Sequence, residues 1–359
     1  MSAVAGLAMS AHRRGSSVLH SMFSTWYNAL ITLFLLFLAW KAIPPLAGWL
    51  VFDAVWQNVP AEACRAAEGA CWAFIREKAR FILFGFFPYD QQWRPFLAVM
   101  LLVGLVLVSA NRRYWKPGLL ALWPMVIGLV LAIMSGGFGG LEDVPTARWG
   151  GLPLTLLLAI VGAALAFPFG IVLALGRTSD MPIIRWICIG YIELVRGVPL
   201  VTVLFMASVM LPLFMPDGVE IDAVLRALVG ITLFIAAYFA EVVRGGLQAI
   251  PKGQFEAVHA LGLGYWSGMR LVVLPQALRI SVPPLTNTLI GLIKDSSLVA
   301  IIGLVDLLGA SKRSLSDPEW LGFYREAYVF VALVYFVICF SVSRHSRNVE
   351  AALSARQQH

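Results

Sequence analysis

Charged side chains are scarce in this chain. Only 13% of its 359 residues are Asp, Glu, Lys or Arg, whereas 60% are hydrophobic, and the mean hydropathy is +0.81. Soluble domains typically carry about 25% charged residues, so an ordinary water-soluble fold is excluded. The composition therefore predicts an integral membrane protein.

The signatures of several enzyme classes are also missing. The sequence has no GxxxxGK[ST] loop, which excludes ATP binding of the P-loop type. Its five histidines are scattered, without an HExxH or paired-cysteine metal spacing, and its serines show no GxSxG elbow. We therefore expect that this chain is not an enzyme and binds no cofactor or metal itself.

The net charge of +7 does not indicate nucleic acid, because no basic stripe with interleaved aromatic residues is present. It fits a membrane topology instead. If both termini lie in the cytoplasm, the inner segments hold 14 basic residues and the outer segments 10, with the excess in short inner loops. Since basic loops favour the cytoplasmic side, we expect cytoplasmic N- and C-termini.

Eight apolar runs are long enough to cross a bilayer, which takes about 20 mostly apolar residues per helix. We therefore predict an all-α, polytopic fold with about eight transmembrane helices. The runs lie near residues 27–50, 94–111, 117–136, 152–176, 184–214, 223–248, 283–304 and 326–343. A cleaved signal peptide is the alternative for the first run, but that run lacks a convincing small-residue cleavage site.

The spans form two groups, separated after a glycine-rich stretch at residues 136–140. The first group is an N-terminal extension of three spans, and the second is a core of five. The predicted divisions are an extension at 1–149 with a periplasmic insert at about 51–93, a core at 150–348 with a cytoplasmic loop at about 249–282, and a cytoplasmic tail at 349–359.

The insert contains an amphipathic pattern and two cysteines. The apolar positions Trp72, Ile75, Ala79, Ile82 and Phe86 share one helical face, which predicts a helix resting on the membrane surface; contact with an extracytoplasmic partner is the alternative. Cys64 and Cys71 could pair in an oxidising periplasm. An unbroken helix would hold them about 10.5 Å apart, beyond disulfide reach, so a bridge requires a bend near Gly69, and the pairing stays open.

Five charged residues fall inside the core spans, where each is costly: Glu193, Arg196, Glu241, Lys294 and Asp295. Counted from span starts near Ile183 and Pro283, Glu193 and Lys294 lie about 15 Å deep, near the midplane. Glu241 lies near the inner end of its span, where an ordinary surface ion pair with Arg244 is expected.

Some of these groups suit a zwitterionic amino acid. Arg196 and Asp295 offer the two charges, with Glu193, Lys294, Ser296 and Ser297 as further candidates for substrate contact. Pro199 and the pair Pro283–Pro284 should interrupt helices and free backbone groups toward a cavity. The structural alternative is that Glu193 neutralises Arg196, that Lys294 neutralises Asp295, and that the serines bond to their own helix.

A polar stretch at residues 241–275 interrupts the apolar pattern of the core. Within it, GQFEAVHALG predicts a short amphipathic helix that ends at Gly262. Phe255, Val258 and Leu261 share one side of this helix, and Gln254, Glu256 and His259 share the other. A helix of this kind suits a groove on a partner protein.

The same residues carry a family resemblance. Glu256, Ala257, Gly262, Leu274 and Pro275 fall at the spacing of the EAA loop of bacterial ABC importer permeases, with Val258 and Val272 in place of an alanine and an isoleucine. Four further segments resemble the polar amino acid branch of that family: YIELVRGVPL at 191–200, AEVVRGGLQAIPKGQ at 240–254, LPQALR at 274–279 and LIKDSSLVAIIG at 292–303. The similarity covers roughly residues 151–343.

This resemblance implies a permease subunit that moves polar L-amino acids across the bacterial inner membrane by alternating access. A separate ATPase dimer, which carries ATP and Mg, would grip the loop at Phe255, Glu256, Ala257, Val258, Leu261 and Gly262. The resemblance also implies a second, homologous permease chain and a periplasmic amino acid-binding protein. The three extra spans look like the long M-type permeases of general L-amino acid and glutamate/glutamine/aspartate transporters. The alternative is a carrier driven by an ion gradient, with Glu193 and Asp295 as proton or sodium sites.

Overall fold

A computed structural model describes residues 22–111, 114–216, 218 and 220–354. In these ranges, seven helices are long and apolar enough to cross a membrane, and one bent helix pair brings the number to eight. The prediction of an all-α, polytopic fold with about eight spans is therefore confirmed. The chain forms two compact units, one ending at Arg76 and the other beginning at Glu77. The predicted boundaries near residues 150 and 348 stay predictions.

The first unit contains one span and most of the predicted insert. Helix α1 (Trp26–Ala47) continues as a turn of π-helix to Phe52, and a short helix α2 (Ala61–Ala66) follows. Helix α3 (Trp72–Phe84) begins in this unit and ends in the second.

Cys64 and Cys71 form a disulfide, with their Cα atoms 5.6 Å apart. The chain bends between α2 and α3, at Gly69, as the bridge requires. A Cβ atom at Gly69 would lie only 2.0 Å from the carbonyl oxygen of Asp53, so a side chain at this position would clash with the backbone. The pairing that the sequence left open is therefore present in the fold.

The second half of α3 packs on protein rather than on the membrane surface. Ile82, on its apolar face, is fully buried. On its polar side, Lys78 Nζ donates to Asp317 Oδ2 at 2.7 Å, and Trp320 Nε1 donates to Glu77 Oε1 at 3.1 Å. The prediction that the apolar face rests on the bilayer is wrong at Ile82, because this side chain is buried within the protein.

The second and third spans form a hairpin that a buried arginine fastens. They are α4 (Trp93–Ala110) and α5 (Gly118–Ser135). Arg94 is fully buried and donates to the carbonyl oxygens of Ile133 at 2.7 Å, Met134 at 3.0 Å and Glu142 at 2.9 Å. The carbonyl groups of Ile133 and Met134 lie in the last turn of α5, where a helix leaves its carbonyl oxygens without intrahelical partners.

The core continues with further helices, two of which pack closely against each other. Their bounds are α6 (Gly151–Arg177), α7 (Pro182–Gly197), α8 (Leu200–Leu213), α9 (Ala223–Gln248), α10 (Lys252–Ala260), α11 (Tyr265–Gly268), α12 (Leu274–Asp295), α13 (Leu307–Ser314) and α14 (Tyr324–Ser354). The close contact joins α6 to α9. A Cβ atom on Gly170 would lie 2.7 Å from Cβ of Phe239, which shows that small residues in α6 let the two helices approach.

A short strand ties the start of α6 to the segment before α13. The strand, Val305–Asp306, forms parallel bridges with Gly150 and Gly151. The carboxylate of Asp306 accepts hydrogen bonds from the backbone N–H groups of Leu308 at 3.1 Å and Gly309 at 2.9 Å. Asp306 therefore caps α13 and fixes its start beside α6.

The predicted span at 184–214 is broken. The chain bends by 105° from helix α7 to helix α8. Val198, between them, is extended, with φ −106° and ψ 138°, as expected for a residue before proline. Since Pro199 has no N–H to continue the helix, the predicted interruption at this proline is confirmed.

The predicted interruption at Pro283–Pro284 is wrong, because both prolines lie inside α12. Membrane helices tolerate prolines when neighbouring helices and small local adjustments satisfy the freed backbone groups. The span is also longer than predicted, running from Tyr265 to Ile302. Lys294 follows Leu274 by 20 residues, or about 30 Å of helix, so it lies toward the far end of the span and not at its midplane.

Candidate functional site: a cavity at a helix break and an exposed short helix

A cavity of about 710 Å³ lies among α7, α8, α9 and α12, within the usual size of ligand pockets. One wall is the break from Arg196 to Leu200, where helix ends leave backbone groups without helical partners. The wall from α9 is largely apolar and aromatic, with Phe234, Ile235 and Tyr238. The wall from α12 and the residues after it carries Asn287, Thr288, Gly291, Asp295 and Leu298.

The cavity lies beside the middle of a membrane span. Phe234 and Tyr238 follow Ala223, the first residue of α9, by 11 and 15 positions in a helix of 26 residues. At about 1.5 Å per residue, these side chains start roughly 16 and 22 Å along the helix. The wall from α9 therefore comes from the middle of a candidate span, whereas Asp295, on the wall from α12, is the last residue of that helix.

The structure brings Arg196 and Asp295 to this cavity, whereas the other candidates are not among its lining residues. Glu193 pairs with Arg177 instead, at 2.8 Å. Ser296 is buried, and its hydroxyl donates to the carbonyl oxygen of Ile293 at 2.8 Å, as the structural alternative predicted. Lys294 and Ser297 also lie outside the lining.

Sequence reasoning missed three polar residues of the lining, which are Tyr238, Asn287 and Thr288. A signal for one of them was present. Asn287, Gly291 and Asp295 recur at intervals of four residues on a mostly apolar helix, which places them on one face. A polar face within an apolar helix indicates a lined cavity or a polar partner.

A cluster of charges adjoins the cavity and centres on Glu241. Arg244 Nε donates to Glu241 Oε2 at 3.0 Å, and Arg177 Nη1 and Arg196 Nη1 lie 3.4 and 3.7 Å from the same oxygen. The predicted pair of Glu241 with Arg244 is confirmed, but it is part of a network across α6, α7 and α9. The predicted pair of Glu193 with Arg196 is wrong, because Glu193 pairs with Arg177 and Arg196 pairs with Glu241.

A second feature is the exposed short helix α10, which follows α9 after a brief turn. It ends before Gly262, which has φ +70°, a left-handed conformation that favours glycine. Glu256, Ala257 and Gly262 are exposed, and Leu261 is 74% exposed. The predicted helix and its stop at Gly262 are thus present.

Two of the six residues predicted to contact a partner face inward instead. Val258 is buried, and a Cβ atom on Gly268 would lie 2.3 Å from its Cγ1 atom. Phe255 is half-buried against a cluster that includes Val243, at the end of α9, and Met269. Since Leu261 lies just beyond the helix, it does not share their face. The accessible surface therefore reduces to Glu256, Ala257, Leu261 and Gly262.

Comparison with known proteins defines the class. Residues 166–354 match the family described as binding-protein-dependent transport system inner membrane components. Together with the polytopic helical fold, this match shows that the chain belongs to that family of ABC importer permeases, and it is a multi-pass protein of the inner membrane.

Particular relatives extend the match into the N-terminal spans. The chain is 51% identical over 336 residues to the inner membrane amino-acid ABC transporter permease protein YhdY of Escherichia coli K12, covering 92% of this chain and 90% of that one. It is 39% identical over 400 residues to the glutamate/glutamine/aspartate/asparagine transport system permease protein BztC of Rhodobacter capsulatus, covering 93% and 92%. These two matches confirm the resemblance to long permeases.

A solved structure of an amino acid ABC transporter with histidines also resembles this chain. The two are 32% identical, with a TM-score of 0.50, and the match covers 56% of this chain and 92% of that one. The structural similarity thus extends over little more than half of the chain, in contrast to the two long relatives.

Proposed function

We propose that this chain is the permease subunit of an ATP-driven importer for polar L-amino acids. The observation that carries the proposal is the connection of two features through one helix. Helix α9 lines the cavity with Tyr238 and leads into the exposed helix α10, whose first residue, Lys252, follows Tyr238 by 14 positions. The names of YhdY and BztC, both amino acid permeases, support the choice of substrate.

The cavity offers complementary groups for a zwitterion. The guanidinium of Arg196 suits the α-carboxylate of an amino acid, since charge-assisted bonds of this kind are strong and directional. The carboxylate of Asp295 suits the α-ammonium group. Asn287 and Thr288 can exchange hydrogen bonds with a polar side chain, and the helix ends at residues 197–200 add backbone groups.

Helix α10 is the proposed site of energy input. A separate ATPase dimer, with its own ATP and Mg, would bind the surface formed by Glu256, Ala257, Leu261 and Gly262. Val258 and Phe255 pack back onto the chain, so α10 is braced rather than loosely tethered. A displacement of α10 by the ATPase would therefore move α9 and alter access to the cavity, which is the mechanical requirement of alternating access.

The order of spans is consistent with an ATPase on the cytoplasmic side. Disulfides persist in oxidising compartments, so the Cys64–Cys71 bridge favours an insert outside the cytoplasm. Between the insert and α10 lie the spans α4, α5, α6, the bent pair α7–α8, and α9. If the bent pair crosses the bilayer, these five crossings put α10 on the opposite, cytoplasmic side. A second permease chain and a periplasmic amino acid-binding protein complete the proposed complex.

Purification of the tagged chain in mild detergent tests the proposal. We expect an ATPase and a second permease chain to accompany it. Leu261→Asp should release the ATPase, because it places a charge in the centre of the proposed contact. Leu321→Asp is the matched control, since Leu321 is also exposed, at 58%, but lies on the segment between α13 and α14. Retention of the ATPase by Leu261→Asp, or its absence from the wild-type preparation, would contradict the proposal.

A further inference from the structure

Glu241 and Tyr238 together hold the side chain of Arg196 at the cavity wall. The guanidinium carbon of Arg196 lies 5.6 Å from the centroid of the Tyr238 ring, and its Nη1 atom lies 3.7 Å from Glu241 Oε2. Tyr238 and Glu241 are three residues apart on α9 and therefore share a face. Tyr238 lines the cavity, whereas Glu241 is not among the lining residues. Glu241 thus acts on Arg196 from outside the cavity.

The cluster around Glu241 carries an excess of positive charge. It contains three guanidinium groups, on Arg177, Arg196 and Arg244, and two carboxylates, on Glu193 and Glu241. One positive charge is therefore not balanced within the cluster. Arg196 lies farther from Glu241 than the other two arginines do, and it is the member of the cluster that lines the cavity. The excess charge is presented where an anionic group could enter.

We infer that Glu241 is a positioning residue, which fixes Arg196 against Tyr238 while leaving its charge available to the α-carboxylate of an amino acid. This inference rests on the proposed function. An arginine side chain loses rotamer freedom when it is fixed on binding a ligand. Because Glu241 and Tyr238 hold Arg196 before the ligand arrives, that loss does not weaken binding.

The test measures how strongly the site prefers a carboxylate. The intact complex, purified through a tag on this chain and placed in lipid nanodiscs, is titrated with L-glutamine and with L-glutamine amide, which lacks the α-carboxylate. The Kd for the amide divided by the Kd for L-glutamine reports recognition of the α-carboxylate. We expect Glu241→Gln to lower this ratio about tenfold, which corresponds to about 1.4 kcal/mol. In an Arg196→Gln background, Glu241→Gln should have no further effect, since the two residues act as one unit.

Glu193→Gln is the matched control. It removes the same charge from the same cluster, but Glu193 contacts Arg177 and not Arg196 in the ion pairs of the described residues. We expect it to change the ratio less than about twofold. An equal effect of the two variants would show that total charge matters rather than positioning, and would overturn the inference. If Glu241→Gln does not assemble, Glu241→Asp, which keeps the charge but shortens the reach, should lower the ratio by a smaller factor; an unchanged ratio would overturn the inference as well.

Failure of the proposed function would look different. A wild-type complex that binds neither ligand, or an Arg196→Gln variant with an unchanged ratio, would remove the proposed substrate site itself. A normal wild-type complex and a sensitive Arg196→Gln variant, combined with an insensitive Glu241→Gln variant, would remove only the positioning role of Glu241.

Discussion

Arg196, at the end of α7, and Asp295, at the end of α12, line the same cavity although 99 positions separate them in the sequence. Their charges are opposite, and the wall from α9 is largely apolar. A site with one cation, one anion and an apolar wall matches the main-chain groups common to amino acids. The proposed importer function assigns the two residues to the two ends of that zwitterion.

Asp295→Asn should weaken binding of L-glutamine by about tenfold or more, because it removes the charge that pairs with the α-ammonium group. Binding of glutaramic acid, which lacks that group, should change little. Lys294→Gln is a matched comparison, since it alters the neighbouring charge outside the cavity lining. Titration of both ligands into the nanodisc complex measures the effect. An equal loss of affinity for the two ligands would mean that Asp295 has a structural role and does not bind the ammonium group.

Gly262→Val should uncouple the ATPase from transport while leaving the chain inserted in the membrane. Its φ of +70° is costly for a β-branched residue, by roughly 1–3 kcal/mol, so the exposed surface after α10 should be reshaped. Gly264→Val is the control, because Gly264 has a φ of −66° that valine adopts readily. The measurements are ATP-driven uptake and retention of the ATPase on purification. Normal uptake by Gly262→Val would contradict the coupling role.

The ion pair between Lys78 and Asp317 should make a small, pH-dependent contribution to stability. The hydrogen bond from Lys78 lowers the pKa of Asp317. Burial lowers the pKa of Lys78, but its hydrogen bonds to Asp317 and Glu77 outweigh this effect and raise the pKa above its ordinary value. The contribution of Asp317 is therefore present above its unfolded pKa of about 3.9 and lost as the pH falls through its lower folded value. The contribution of Lys78 is present below its unfolded pKa of about 10.4 and is lost as the pH rises through its higher folded pKa.

Thermal unfolding of Asp317→Asn measures this contribution. We expect a loss of less than about 1 kcal/mol near pH 7, since partly exposed ion pairs are screened by solvent. The difference from wild type should shrink as the pH falls toward the pKa of Asp317. Asp90→Asn, at an exposed aspartate of the same unit, serves as the control. A difference that grows on acidification would contradict the assignment.

Cysteine labelling should place the insert and α10 on opposite sides of the membrane. After reduction, Cys64 and Cys71 should react with a membrane-impermeant maleimide added outside spheroplasts. A cysteine at position 261, introduced as Leu261→Cys in a chain without its native cysteines, should react only after the membrane is opened. Labelling of both sites from outside would mean that α7 and α8 form a re-entrant pair and do not cross.

Local rules predicted much of this fold. Hydropathy located the spans because each must bury about 20 apolar residues in lipid. The break at Pro199 followed from the missing N–H of proline, and Gly262 followed from the need for a left-handed residue after a helix. The same rule failed at Pro283–Pro284, where the surrounding helices support a continuous α12. A proline removes one backbone hydrogen-bond donor, but tertiary packing decides whether the helix breaks there.

The candidate site was only partly predictable. Arg196 and Asp295 stood out because charges are rare in membrane spans. The network around Glu241 could not be found from spacing, since its members come from α6, α7 and α9, and the i,i+3 pair with Arg244 offered a simpler explanation. The inward orientation of Val258 was also hidden, because amphipathicity alone does not tell which face of an exposed helix meets its own chain.

Uptake of L-glutamine by proteoliposomes, with this chain present either alone or in the complete complex, tests the importer function most directly. We predict that uptake requires the complete complex, with its ATPase and binding protein, and hydrolysable ATP, and that a proton or sodium gradient cannot replace ATP. Accumulation driven by an ion gradient in vesicles that hold this chain alone would contradict it.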